Sequence, residues 1–127
     1  GQVKGKIAYM SPEQVNAEDL DHTSDIFSLG IVLWEMLTRR QLYAGDADFI
    51  AMQRITRERT EPPSSFNADV DSDLDAICHR ALQKAPGERF SRAGELAEVL
   101  EEWLNANGYT DPHGTFADWL QQLAAAG

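Results

Sequence analysis

Three histidines, one cysteine and twenty-one carboxylates are the side chains with which this chain of 127 residues could do acid–base, metal or nucleophilic chemistry. His22, His79 and His113 stand far apart. None falls in an H-x-x-x-H spacing, which would put two imidazoles on one helical face to hold a metal. Cys78 lies on an apolar helical stripe and reads as an inert core thiol rather than a nucleophile. There is no G-x-G-x-x-G and no Walker pattern to cradle a phosphate. These residue types at these spacings compose no complete active site, so neither a catalytic residue nor a metal ligand is assigned.

The elements that would position any site are helical. Residues 24–38 carry Ile26, Phe27, Leu29, Ile31, Val32, Leu33, Trp34, Met36 and Leu37, apolar in nearly every direction around the axis. A helix apolar on all sides is buried on all sides, so this one is expected to be the central post. The later helices carry only stripes. Asp46 can cap a segment with Phe49, Ile50, Met52 and Ile55 that ends near Arg59, before Glu61-Pro62-Pro63. Ser72 and Asp75 have capping-box spacing ahead of Leu74, Ile77, Cys78, Ala81 and Leu82. Ser91 can cap a helix striped by Leu96, Val99, Leu100, Trp103 and Leu104, which Asn107-Gly108 stops. Thr115 with Asp118 opens a short final helix with Phe116, Trp119, Leu120 and Leu123. The residues before Glu13 read as an ordered loop, no segment alternates as a strand, and the fold class is all-α.

Composition narrows the function. With 43% hydrophobic and 25% charged residues the chain is globular rather than a disordered tail. Its net charge of −10 excludes a general phosphate-backbone binder, whose affinity comes from counterions released opposite Lys and Arg, so no nucleic-acid role is expected. A single cysteine forms no internal disulfide. No signal peptide is visible, and the longest apolar stretch, 26–37, falls short of the ~20 residues of a membrane span. A cytoplasmic setting is expected, and the chain reads as a piece of something longer. From Ala93 onward there are six acidic residues and no Lys or Arg, while Arg39, Arg40, Arg54, Arg57 and Arg59 gather earlier. Both groups are read as solvated faces, with a docking surface as the alternative.

One run stands out: Gly5-Lys6-Ile7-Ala8-Tyr9-Met10-Ser11-Pro12-Glu13-Gln14, then Ser24-Asp25-Ile26-Phe27-Ser28-Leu29-Gly30-Ile31-Val32-Leu33-Trp34-Glu35-Met36-Leu37, and later Pro86-Gly87-Glu88-Arg89-Phe90. In these motifs, in this order, the chain resembles the eukaryotic-like Ser/Thr protein kinases, and their bacterial branch in particular. The resemblance runs through Leu104. It implies a partial kinase domain over 1–104 and a C-terminal extension with a short amphipathic helix over 105–127. The covered part would be the helical C-lobe portion of the α+β kinase fold, from the end of the activation segment through helices F, G, H and I. The Gly-rich loop, the strand lysine, the H-R-D loop and the D-F-G aspartate of that family precede this stretch. The parent would therefore use ATP and magnesium to phosphorylate protein Ser or Thr hydroxyls. This chain alone, holding no cofactor and lacking the N-terminal kinase portion as partner, should be inactive.

The resemblance also implies roles for particular residues. Glu13 and Arg89 would form a partly buried two-pronged ion pair that anchors the activation segment. Asp25, which the helix dipole alone would favour in a first turn, would hold backbone N–H groups of the catalytic loop. Gly5, Lys6, Ile7, Ala8 and Tyr9 would form the loop receiving the protein substrate. Many members read Gly-Thr-Pro there, and the threonine hydroxyl touches the catalytic aspartate and a catalytic-loop lysine. Lys6 and Ile7 depart from that wording, and an ammonium cannot accept that lysine's hydrogen bond. The alternative function is thus a pseudokinase-like or acidic helical protein-binding module. With the preceding region absent, part of the apolar post should face water, so the isolated chain is expected to self-associate or be a loose globule.

Overall fold

A computed structural model describes residues 7–108 and 115–126, with side chains in the last helix at 118–122 and 125. A 3-10 turn, Ile7–Tyr9, leads into α1, Pro12–Val15, followed by α2, Thr23–Thr38, and α3, Asp48–Arg57. Next come α4, Ser72–Ala81, α5, Ala93–Asn107, and α6, Thr115–Ala126, with short 3-10 turns at Pro63–Ser65 and Pro86–Glu88. Among the described residues there is no strand, in keeping with the all-α reading.

The core forms around α2. Ile26, Phe27, Ile31 and Leu33 are 0–1% exposed, while Leu29, Val32, Met36 and Leu37 are only half-buried. The post is therefore closed on most sides and open along one strip. Gly30 lets α4 approach closely: a Cβ there would lie 2.9 Å from the Ala81 Cβ and 3.0 Å from Leu82. At the end of α2 the Trp34 indole N–H donates to the Glu61 carbonyl at 2.8 Å, and its ring meets Phe66 edge-on. The backbone leaves the helix through Arg39 in the left-handed region (φ 57°).

Several caps differ from expectation. The residues before Glu13 are not wholly loop, because Ser11 and Gln14 form a reciprocal capping box around the short α1. Asp46 does not cap α3, since its carboxylate is taken by Arg54, and the cap position falls to Ala47 without a side-chain bond. In α4 the cap is Asp71, which accepts from the Leu74 amide, and Asp75 instead receives the Ser64 amide. Ser91 does not cap α5 through its hydroxyl; Glu95 reaches back to the Ser91 amide and hydroxyl. The α3 stripe also turns: Ala51 and Ile55 are buried, whereas Phe49 is 67% and Ile50 44% exposed. Gly108 ends α5 in the left-handed conformation, the stop that Asn107-Gly108 signalled. The stretch over Asp111 and His113 lies outside the described residues, as do the side chains of Phe116 and Leu123.

Candidate activation-segment anchor and substrate-receiving face

Arg89 uses its whole guanidinium. Both its terminal nitrogens meet Glu13, at 2.6 Å to Oε2 and 2.8 Å to Oε1, across 76 positions of sequence. Its remaining N–H groups donate to the carbonyls of Gln83 (2.7 Å), Thr23 (3.0 Å) and Lys84 (3.1 Å). A guanidinium has five N–H donors, so every one is used. Glu13 is 4% and Arg89 3% exposed, and the Ser24 hydroxyl donates to Glu13 Oε2 at 2.8 Å. Burial pushes the Glu13 carboxyl up, but the bonds from Arg89 and Ser24 outweigh it and leave it below the usual carboxylate range.

Sequence explains how these two arrive. Ser11 caps α1 with Pro12 in its first turn, which fixes Glu13 on a rigid single turn. Pro86 opens the 3-10 turn after α4, and Arg89 follows it in extended conformation. The Phe27 ring lies 5.0 Å beneath the guanidinium, so α2 supplies an aromatic floor to the pair.

A second link was not foreseen. The Tyr9 hydroxyl donates to Glu35 Oε1 at 2.7 Å, and the Leu42 amide donates to Glu35 Oε2 at 2.9 Å. The Ser28 hydroxyl donates to the Tyr9 carbonyl, so α2 grips this residue at two points seven positions apart, on one face. Burial, and then the Glu35 carboxylate, push the Tyr9 phenol up to about 12. A signal did exist in the sequence: Glu35 is a lone carboxylate in the otherwise apolar second half of α2.

The other expected site residues are distributed as follows. Gly5 and Lys6 lie outside the described residues. Ile7 and Ala8 are 8% and 3% exposed, and only Tyr9 of the described part of that loop is half-exposed. Asp25 is exposed in the first turn of α2, next to Ser24, whose hydroxyl donates to Glu13. It lines an open cavity of about 690 Å³ with Tyr9, Leu29, Val32 and Trp119. No described residue's donor is bonded to its carboxylate. Cys78 is 1% exposed and burial pushes its thiol up, so it is chemically quiet. Lys84 is pulled down to about 8 by burial, and its ammonium donates to the Ile55 carbonyl at 2.7 Å at the end of α3. Among the described residues no group of three His, Cys, Asp or Glu could hold a metal ion. Nor does any described element offer a glycine-rich loop to a nucleotide.

The sequence profile of the family described as "protein kinase domain" matches residues 1–104. The chain belongs to the protein kinase family. Among its relatives is Serine/threonine-protein kinase PknB of Mycolicibacterium smegmatis, 42% identical over 98 residues, which are 77% of this chain and 16% of that protein. Tyrosine-protein kinase MasK of Myxococcus xanthus is 33% identical over 83% of this chain and 16% of its own length. Probable serine/threonine-protein kinase SCO3848 of Streptomyces coelicolor is 35% identical over 91% of this chain and 17% of its own. This kinase chain thus spans about one sixth of the length of the curated relatives it matches. Among solved structures, the twitchin kinase region from C. elegans superposes with a TM-score of 0.62 at 16% identity, over 77% of this chain and 17% of that one. That likeness concerns the fold, and it places the all-helical architecture in the helical lobe of a kinase. α2 is then the buried central helix of that lobe. No described helix is long and apolar enough to cross a membrane.

Proposed function

We propose that this chain forms the rear of the C-lobe of a bacterial-type Ser/Thr protein kinase. The kinase transfers the γ-phosphoryl group of ATP, with magnesium, to Ser or Thr hydroxyls of protein substrates in the cytoplasm. Within it, the Glu13–Arg89 pair pins the end of the activation segment to the loop after α4. Asp25 faces the open cavity beside α2, where the catalytic loop of the preceding kinase portion would bring its backbone N–H groups. Residues 5–9 receive the protein substrate, and residues 105–127 extend the domain with α6. Nucleotide, metal and catalytic base are supplied by the preceding portion, and the chain by itself transfers nothing.

The observation that carries this reading is the fully saturated, desolvated Arg89–Glu13 pair joining two motifs of the family 76 positions apart. The test is phosphorylation of a protein substrate by the full-length kinase with ATP and magnesium, followed by phosphoamino-acid analysis. Phosphoserine or phosphothreonine is expected, with none from the 127-residue chain alone. No transfer by the full-length protein, or phosphotyrosine as sole product, overturns it. Lys6 and Ile7, which replace the common Thr-Pro, favour a second reading as a protein-binding module. A full-length protein that is inert yet retains a protein partner would establish that one.

A further inference from the structure

A cavity of about 680 Å³ lies between α4 and the chain that leaves α3. One wall is the α4 face on which Ser72, Asp75, Ala76 and His79 recur at i, i+3, i+4 and i+7. The facing wall is the run from Arg59 to Pro63, tied to the central helix where the Trp34 indole donates to the Glu61 carbonyl. The floor is apolar: Trp34, Cys78 and Leu82 are 4%, 1% and 6% exposed, and the buried Pro63 adjoins them. From Ser72 to Leu82 the cavity follows α4 over about 15 Å, the rise of that many helical residues. Small-ligand sites have this form, concave and mostly apolar with a few convergent polar groups.

The charges of the cavity are sorted by end. Lys84, Arg57 and Arg59 stand where α3 finishes. The Lys84 ammonium donates to the Ile55 carbonyl at 2.7 Å and the Arg54 carbonyl at 3.4 Å, which leaves one of its three N–H groups for a ligand. Arg57 and Arg59 are exposed, and among the described residues neither makes a hydrogen bond or an ion pair. The two carboxylates of the lining are turned to other partners. Asp75 accepts from both the amide and the hydroxyl of Ser64, and Glu61 accepts from the Ser65 hydroxyl at 3.5 Å. The chain carries −10, but charges beyond a screening length of ~8 Å count for little beside three adjacent cations.

We infer that this cavity binds a single-chain amphiphile with an anionic head, a phosphate or a carboxylate. Arg57, Arg59 and Lys84 hold the head through charge-assisted bonds, which a guanidinium makes with either oxyanion. The apolar chain lies along Leu82, Cys78 and Trp34 toward Pro63. A bare anion leaves that floor wet, and an uncharged chain leaves the cations unanswered. The cavity shares no lining residue with the one beside Asp25, so the inference goes beyond the kinase reading and does not depend on it.

The experiment titrates the full-length protein by calorimetry with dodecyl phosphate, dodecanoate, inorganic phosphate and dodecyl maltoside, the amphiphiles below their micellar concentrations. Expected is saturable binding of one anionic amphiphile per chain, at least about tenfold tighter than inorganic phosphate or the maltoside. Whichever of the two anionic amphiphiles binds more tightly identifies the head, and either result upholds the site. Affinity should fall about tenfold in the double variant Arg57→Gln/Arg59→Gln, which removes charge at two exposed positions, and in Ala76→Trp, which fills the cavity with the charge intact. Thermal melts establish that each variant is folded; should Ala76→Trp not be, the double variant decides alone. Affinity unchanged in the folded variants overturns the site, because the amphiphile is then held elsewhere. Inorganic phosphate or the maltoside binding as tightly as the anionic amphiphiles overturns it too, as does the lack of saturable binding.

Discussion

Tyr9 and Glu35 are joined at 2.7 Å in a bond that ties the Ile7–Tyr9 turn to the last turn of the central helix. Because Glu35 also takes the Leu42 amide, the same carboxylate holds the chain that leads into α3. Tyr9→Phe deletes one arm and leaves the other. The expected loss is about 1 kcal/mol, read from denaturant midpoints at constant m. The alkaline limb should change as well. A phenol raised to about 12 stabilises the fold fully below the ordinary tyrosine value of 10.0, and that contribution disappears as pH rises from there through 12. Wild-type protein should lose stability over that window more steeply than Tyr9→Phe. Equal slopes would show that the hydroxyl is not held as described.

The Glu13–Arg89 pair predicts a different pattern. Removing either partner strands a buried charge, so Arg89→Ala and Glu13→Ala should each cost ~3–5 kcal/mol, and the double variant less than their sum. Arg89→Lys keeps the charge but not the two-pronged geometry or the three carbonyl bonds, and should recover only part of the loss. Strict additivity in the cycle would mean the pair contributes no coupling. The Glu13 carboxyl is held below its ordinary range, so its contribution is present at neutral pH and vanishes on acidification through the folded value. Glu13→Gln should flatten that acid limb.

Gly30→Ala sets two effects against each other. An interior helical glycine replaced by alanine gains ~1 kcal/mol of helix propensity. Here, however, the new methyl would sit 2.9 Å from the Ala81 Cβ, which is fixed to the backbone of α4. Forcing extra volume into a close-packed core typically costs ~1–3 kcal/mol, so the variant should be net destabilised. A rise in Tm would refute the close approach of α2 and α4.

The open strip of α2 bears on the behaviour of the isolated chain. Leu29 and Val32 stay half-buried beside the 690 Å³ cavity. In sedimentation velocity the 127-residue protein should self-associate, and Leu29→Glu should shift it toward monomer. A monomer at all concentrations with a cooperative melt would contradict this.

Much of the helical frame was legible because burial writes itself as periodicity. The bounds of α2 fall within one residue of the expected span, and the α4 and α5 stripes point inward as read. The caps were less legible, for a physical reason: in Asp71-Ser72 either residue can cap, and the choice depends on a one-residue shift that only packing decides. Asp46 was drawn off by Arg54, a partner eight positions away that local spacing does not reveal. The α3 stripe misled because Phe49 and Ile50 are the most hydrophobic candidates, yet small Ala51 takes the inner face. Of the site, the meeting of Glu13 with Arg89 could not be derived from spacing at all and was suggested only by family wording. The Tyr9–Glu35 bond left a trace, a single acid among oily neighbours, that went unused.

Within the pair, Glu13 is made before Arg89. A ribosome adding about 5–20 residues each second needs roughly 4–15 s to cover the 76 positions between them. Throughout that interval the Glu13 carboxylate lacks its Arg89 partner, and the turn that carries it lacks that anchor. The turn that carries Tyr9 and Glu13 is therefore held in place only after the segment through Arg89 has been made.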